Sequence, residues 1–155
     1  MKIGVISDTH GLFDRSIVSI FKKVDAIIHA GDIGKLDVIE QLEAIAPVLA
    51  VEGNNDSFRR FPEERVERLE GQRVIIRHIF GELHQLRKSD RQMLDLIQPN
   101  VVVFGHSHRP YQHMLGKTLL FNPGSAGPRR FSLPRTVGML SLKRSGATAR
   151  IISLD

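Results

Sequence analysis

The chain has 155 residues, 41% of them hydrophobic and 25% charged, with a formal net charge of +5 and no cysteine. This size and balance predict one folded domain over residues 1–155, able to bury roughly two thirds of its unfolded surface around one core. Without cysteine there is no disulfide, thiolate ligand or thiol nucleophile, so any chemistry rests on oxygen and nitrogen groups, and a cytoplasmic location is the default expectation.

The first strand is predicted over 3–6, where a short apolar run ends at Ser7 and Asp8. That run is far shorter than a signal peptide or a membrane span requires, so no membrane association is expected. Helical apolar spacing follows over 16–21, a second strand over 26–28, a second helix over 36–45 and a third strand over 48–51. The βαβαβ order predicts parallel strands. Doubly wound sheets carry their sites in the loops beyond the carboxyl ends of the strands, where Asp8, Asp32 and Asn54 fall.

The pattern then changes. Runs at 66–69 and 74–79 flank Glu70-Gly71-Gln72, a hairpin-like turn, before a helix around 89–97 and a strand at 101–104. Further short strands are expected near Met114 and over 119–121, 137–142 and 149–152, separated by glycine-containing turns such as Ser145-Gly146. Two packed sheets flanked by helices fit this order better than one open parallel sheet.

The positive charge favours anionic partners, yet the arginines run from Arg15 to Arg150 without gathering on one helix or arm. Aromatic residues make up 6% of the chain and do not alternate with basic ones, so nucleic acid is not a required partner.

Four segments leave apolar runs with chemistry in hand: Asp8-Thr9-His10, Gly31-Asp32, Gly53-Asn54-Asn55-Asp56 and Gly105-His106-Ser107-His108. Asp8 and His10, two residues apart, can converge on one ion at a strand end. Asp32 adds a carboxylate able to bridge two ions, Asn54 a neutral amide oxygen, and His78, His106 and His108 three imidazoles. This set suits two octahedral or trigonal-bipyramidal ions that share Asp32 and leave room for a bridging hydroxide. Ions about 3.5–4 Å apart hold such a nucleophile in line with a phosphorus centre. Mixed nitrogen and oxygen donors without sulfur suit Mn²⁺, Fe²⁺, Zn²⁺, Ni²⁺ or Co²⁺ better than Ca²⁺.

Each segment alone has a plainer reading, since Asp-x-His can be a turn or helix cap and Gly-Asp and Gly-Asn are common turn pairs. The joint occurrence, in this order and each at a strand end, favours metal. His29 reads as a structural residue at a strand end, and His84 and His113 as surface groups.

Asp8-x-His10, Gly31-Asp32, Gly53-Asn54-x-Asp56, His78, Gly105-His106-x-His108 and Asn122-Pro123-Gly124-Ser125 resemble the calcineurin-like metallophosphoesterases. The length resembles their small single-domain phosphodiesterase branch, and the match runs from Ile3 to about Arg130. The resemblance implies an α/β fold, a four-layer αββα sandwich of two mixed β-sheets flanked by helices, with the site at the strand ends. It implies that Asp8, His10, Asp32 and His108 hold one divalent ion and Asp32, Asn54, His78 and His106 a second. Manganese is the foremost expectation, with Ni, Fe, Co and Zn as alternatives. Catalytic roles are expected for Asp32, Asn54 and Asp56. Asn55, Ser125, Arg129 and Arg130 are the expected substrate contacts, because the turn at Ser125 and the two arginines resemble the segment beside the phosphate. For the arginines the alternative is a solvated loop.

The implied function is a metal-dependent phosphodiesterase that hydrolyses small phosphate diesters by attack of a metal-bridging hydroxide. The alternatives are a non-catalytic protein-binding scaffold, like the retromer subunit that shares the fold, and a nuclease, which would need an added groove for polymer. The implied partner is a small phosphate ester, and homo-oligomer formation is left open. Two departures from the family pattern stand out. Larger relatives carry a histidine after the Gly-Asn pair that protonates the leaving group; here Asn55 stands there, and an amide is no general acid at neutral pH. Modest activity follows unless Asp56 or another group supplies that contribution of about 10²- to 10⁴-fold. His78 is followed by Ile79-Phe80-Gly81 where the family usually has glycine at once, so an altered loop is expected there.

Overall fold

A computed structural model describes residues 1–155. Along the chain run β1 (Lys2–Ile6), α1 (Ser16–Ile20), β2 (Ala26–His29), α2 (Leu36–Glu43), β3 (Val48–Ala50), β4 (Glu64–Leu69) and β5 (Gln72–Arg77). Then follow α3 (Lys88–Ile97), β6 (Val101–Val103), β7 (Pro110–Leu115), β8 (Thr118–Pro123), β9 (Thr136–Lys143) and β10 (Gly146–Ser153). The strands form two mixed five-stranded sheets, one in the order β10-β9-β1-β2-β3 and the other in the order β4-β5-β6-β8-β7. In the first, β1, β2 and β3 are parallel; in the second, β5, β6 and β8 are parallel, with antiparallel strands at the outer positions.

Side-chain alternation along the strands explains the layering, because successive residues point to opposite faces. Ile3 and Val5 of β1 and Ile28 of β2 meet Val74, Ile76, Val101, Val103, Leu119 and Phe121 of the other sheet in a central buried cluster. Ile6 and Ile27, on the other face of the first sheet, pack under Ile17 and under Val38, Ile39 and Leu42, the apolar stripe of α2. Ile75, Val102 and Leu120, on the outer face of the second sheet, pack with Met93, Leu94 and Ile97 of α3. The result is helix, sheet, sheet, helix: the αββα sandwich that the resemblance implied. No helix is long and apolar enough to cross a membrane.

The boundaries shift in ways that matter for the site. The strand expected over 74–79 ends at Arg77, which releases His78 from the sheet just beyond its carboxyl end. A short 3₁₀ turn at Leu83–Gln85 carries the chain from there to α3. The helix expected over 36–45 stops at Glu43, where Ala44 closes the last turn onto the Glu40 carbonyl.

Candidate metal centre

The site lies where parallel strands of both sheets end together. Asp8 and His10 follow β1, Asp32 follows β2, Asn54 follows β3, His78 follows β5, and His106 and His108 follow β6. Main-chain bonds lace the first two loops: Asp8 N–H donates to the Gly31 carbonyl and His10 N–H to the Asp32 carbonyl, each at 3.0 Å. Asp8, His10, Asp32, His106 and His108 all have left-handed backbone, with φ between 46° and 71°. That conformation is enriched for Asp and His but still costs about 1–2 kcal/mol per residue. It turns the chain sharply off each strand and brings the side chains together.

Glycine makes this convergence sterically feasible at two positions. A Cβ on Gly53 would overlap the Asp32 carboxylate, and one on Gly105 would overlap Ser7 Oγ and stand 2.7 Å from Asp8 Oδ2.

Asp8 is fully buried. Its Oδ2 accepts the Ser7 hydroxyl at 2.7 Å and the His106 N–H at 3.1 Å. Its Oδ1 has no hydrogen-bond donor and faces His108 Nε2 at 3.3 Å and His78 Nε2 at 3.8 Å. Asp32 Oδ2 stands 3.4 Å from His78 Nε2 and 3.8 Å from His10 Nε2. His10 Nε2 and His108 Nε2 are 3.3 Å apart, and His106 Nδ1 lies 3.1 Å from Asn54 Oδ1. Candidate ligand atoms of Asp8, His10 and His108, and again of Asp8, Asp32 and His78, lie within 4.8 Å of one another. Asp8 is thus common to both groups, while Asp32 reaches one histidine of each.

His78 is oriented from behind. Its Nδ1 donates to the Ala30 carbonyl at 2.8 Å, so the Nε2 lone pair faces the two carboxylates, as in histidines whose other ring nitrogen is anchored while they bind a metal. Burial opposes its charge, but hydrogen bonding to Asp32 and the negative charge of Asp8 outweigh this and raise its pKa. Burial pushes Asp32 up, while His78 and both Asn55 donors hold its carboxyl well below the usual carboxylate range. His10 is lowered by burial, against the pull of Asp32 and Asp8, with the Arg130 charge adding to the shift.

Buried polar atoms without partners cost about 1–3 kcal/mol each, and more when charged. Asp8 Oδ1 and His78 Nε2 are two such atoms facing each other. A divalent cation beside each would satisfy them, and the nitrogen and oxygen donor set fits transition ions of borderline softness.

With this geometry in view, the profile of the calcineurin-like phosphoesterase superfamily domain matches residues 1–145. The chain belongs to this superfamily. It is 35% identical to a probable metallophosphoesterase of Methanothermobacter thermautotrophicus, over 98% of this chain and 92% of that one. It is 29% identical to a phosphodiesterase of Methanocaldococcus jannaschii, over 93% and 95% of the two chains. The crystal structure of a Vps29 mutant from Entamoeba histolytica superposes with a TM-score of 0.81 over the full length of both chains, at 15% identity, a likeness of fold.

Members of this superfamily use divalent metal ions, and in this chain all the sequence-predicted ligands meet at one edge of the sandwich. The other expected site residues divide. Asn55 stands beside Asp32, donating its N–H to Oδ1 at 3.0 Å and its amide Nδ2 to Oδ2 at 2.7 Å. Asp56 faces the backbone instead: its carboxylate accepts the N–H groups of Ile33 and Gly34 at 3.0 Å and of Gly53 at 2.9 Å. This corrects the expectation of a reacting group, because both of its oxygens fix the loops that carry Asp32 and Asn54.

Ser125 is buried, with its hydroxyl donating to the Asp8 carbonyl and accepting the Gly127 N–H. It braces the Asp8 loop and is not open to substrate. Arg129 pairs with Asp155 at 2.6 Å, so the solvated-loop alternative describes it better. Arg130 is exposed, and its charge is felt at His10.

Several supporting residues carry no motif of their own. His29 is fully buried, accepts the Gly31 N–H at Nδ1 and donates from Nε2 to Thr9 Oγ1, which donates to the Ile33 carbonyl. Asn122 donates to the Gly105 carbonyl and so fixes the turn before His106. Asp90 of α3 is completely buried. Its Oδ2 accepts the N–H groups of Gly81 and Arg87, and its Oδ1 faces Arg77. Arg87 also donates to the Ile79 carbonyl.

A cavity of about 260 Å³ opens on the Asn54 and His78 side of the site, walled by Arg77 and Arg87.

Proposed function

We propose that the chain is a metal-dependent phosphodiesterase, a single-domain cytoplasmic hydrolase of small phosphate diesters. The observation that supports this best is the pair of buried atoms without partners, Asp8 Oδ1 and His78 Nε2, within a ring of imidazoles and carboxylates. In this reading Asp8, His10, Asp32 and His108 hold one divalent ion, and Asp32, Asn54, His78 and His106 the other, with manganese foremost and Ni, Fe, Co and Zn as alternatives. When bound, such ions supply an activated water nucleophile and Lewis-acid stabilisation of the phosphoryl oxygens.

The chain's own groups then divide the remaining work. Asn55 holds Asp32 ionised and oriented with two hydrogen bonds, and its amide cannot protonate a leaving group. Asp56 positions the two loops from beneath. Arg130, on the His10 side, offers a cation to a non-bridging oxygen of the ester. Without a built-in general acid, esters with good leaving groups are the preferred substrates.

A protein-binding scaffold would have no use for buried, partnerless carboxylate and imidazole atoms. Metal analysis on protein purified without chelator, followed by a panel of mono- and diesters with each metal, tests the proposal. Bound transition metal with metal-dependent diester hydrolysis supports it. A chain that holds no metal and hydrolyses nothing with any of them contradicts it.

A further inference from the structure

The two helices beside the first sheet cover β1, β2 and β3 but leave part of its outer face open next to α1. A cavity of about 380 Å³ lies there, within the range of small-molecule sites. Cross-strand register explains its walls. Lys2 pairs with Ser141 and Ser141 with Thr148, while Gly4 pairs with Met139 and Met139 with Arg150. Paired residues share a face, so Lys2 and Arg150 stand on the same open surface. Lys22 and Lys23, just after α1, close the rim, and Ile20 and Met139 contribute apolar surface.

The charge at this cavity is one-sided. Lys2, Lys22, Lys23 and Arg150 line it, no carboxylate does, and none of the four side chains has an ion-pair or hydrogen-bond partner in the structure. Asp25, which follows the lining residue Val24, accepts the Lys2 backbone N–H at 2.6 Å. Four unpaired cations around one depression repel each other, and an anion of high charge density relieves that repulsion. Three ammonium groups and one guanidinium fork suit the several oxygens of a phosphate better than a single carboxylate. The apolar surface suits an organic body attached to it. The cations line a single concavity, which favours a small ligand over a polymer.

We infer that this cavity binds a small organic phosphate, its phosphate among the four cations and its body against Ile20 and Met139. The site is separate from the metal centre. Lys2 opens β1 and Asp8 lies beyond its end, roughly 20 Å away at about 3.3 Å per residue.

The test is an NMR titration of the full-length ¹⁵N-labelled chain with the non-hydrolysable phosphonate analogue of adenosine monophosphate. Adenosine and inorganic phosphate serve as the body-only and charge-only arms. The expected result is saturable shifts at the amides of Lys2, Lys22, Lys23, Ser141 and Arg150, with the phosphonate binding at least about tenfold tighter than either arm. The double variant Lys22→Gln/Arg150→Gln, both exposed positions, is expected to weaken the phosphonate about tenfold while leaving the rest of the spectrum unchanged.

Four results would overturn the inference: no saturable shift at these amides, shifts confined to the Asp8, Asp32 and His78 loops, equal binding of phosphonate and phosphate, or an unaffected double variant. Binding of an oligonucleotide or of phosphatidylserine vesicles at these amides, with none of the phosphonate, would assign the surface to a polymer or a membrane and overturn it too.

Discussion

Asp90 Oδ1 stands 3.7 Å from Arg77 Nη1, with the carboxylate completely buried under the segment that presents His78. Arg77 immediately precedes that histidine, and Gly81, whose N–H the same carboxylate accepts at 3.3 Å, follows it by three residues. The first turn of α3 therefore grips the chain on both sides of His78, while the Ala30 carbonyl holds the imidazole itself.

Replacing Asp90 by Asn leaves Arg87 without its counter-charge and Arg77 with Glu64 alone. Stability is expected to fall by roughly 1–3 kcal/mol, and divalent-metal binding to weaken about tenfold at one of two positions. Denaturant unfolding and a manganese titration read the two effects separately. A loss of stability with both metal affinities intact would make Asp90 structural only.

Gly53→Ala tests the close approach at Asp32. The added Cβ meets the carboxylate and its backbone amide, so the ligand is displaced. Circular dichroism is expected to stay near that of the wild type while bound metal falls, because the clash lies in loops beyond the sheets. Full metal occupancy in this variant would contradict the assigned geometry.

Leaving-group dependence follows from Asn55. With no residue to protonate the departing oxygen, aryl phosphodiesters, whose phenolates leave unprotonated, are expected to be cleaved faster than alkyl monoesters. Initial rates on matched aryl and alkyl substrates measure this. Equal or faster turnover of alkyl monoesters would require an acid that the site as described does not contain.

His29 makes a pH prediction. Burial lowers its pKa to about 4, against the pull of Asp8 and Asp56, whereas in the unfolded chain a histidine titrates near its ordinary value of 6.5. A depressed pKa means that the unfolded state takes up the proton first. Stability from this residue is therefore complete above about pH 6.5 and declines as the pH falls toward 4, by roughly 3 kcal/mol in all. His78 acts in the opposite sense in metal-free protein, since its raised pKa adds stability at low pH that is lost as the pH rises through it. The difference between wild type and His29→Gln, unfolded by denaturant in EDTA from pH 7.5 to 4.5, isolates the His29 contribution. A pH-independent difference would show that His29 is not held neutral.

Much of the site was legible because its residues sit one or two positions beyond apolar runs, where βαβ topology collects functional groups. Asp8, His10, Asp32, Asn54, His106 and His108 were all readable in this way. His78 was harder to place. Only the end of β5 at Arg77 shows that it leaves the sheet, and only the Ala30 carbonyl, 48 residues away, explains its orientation.

The misreadings have the same origin. Ser125 and Asp56 are polar residues within recognisable motifs, and sequence does not reveal that their partners are backbone groups, 117 residues away for Ser125 and 22 to 23 residues away for two of the Asp56 bonds. Asp90 carries no motif, and its importance follows solely from burial. Two packed sheets flanked by helices were legible in the order of apolar runs, the four-layer form was implied by the family resemblance, and β1, β5, β6 and β8 supply the physical reason, since each of these strands is apolar on both faces.

The most direct measurement is metal content together with diester hydrolysis for the wild type and Asp32→Ala, both purified without chelator and checked for fold by circular dichroism. Asp32 Oδ2 stands between His78 and His10, so its loss removes a donor from both positions. About two metals per chain are predicted in the wild type and at most one in the variant, with hydrolysis reduced by at least about 100-fold. An Asp32→Ala protein that kept two metals per chain and near-normal turnover would contradict the two-metal site.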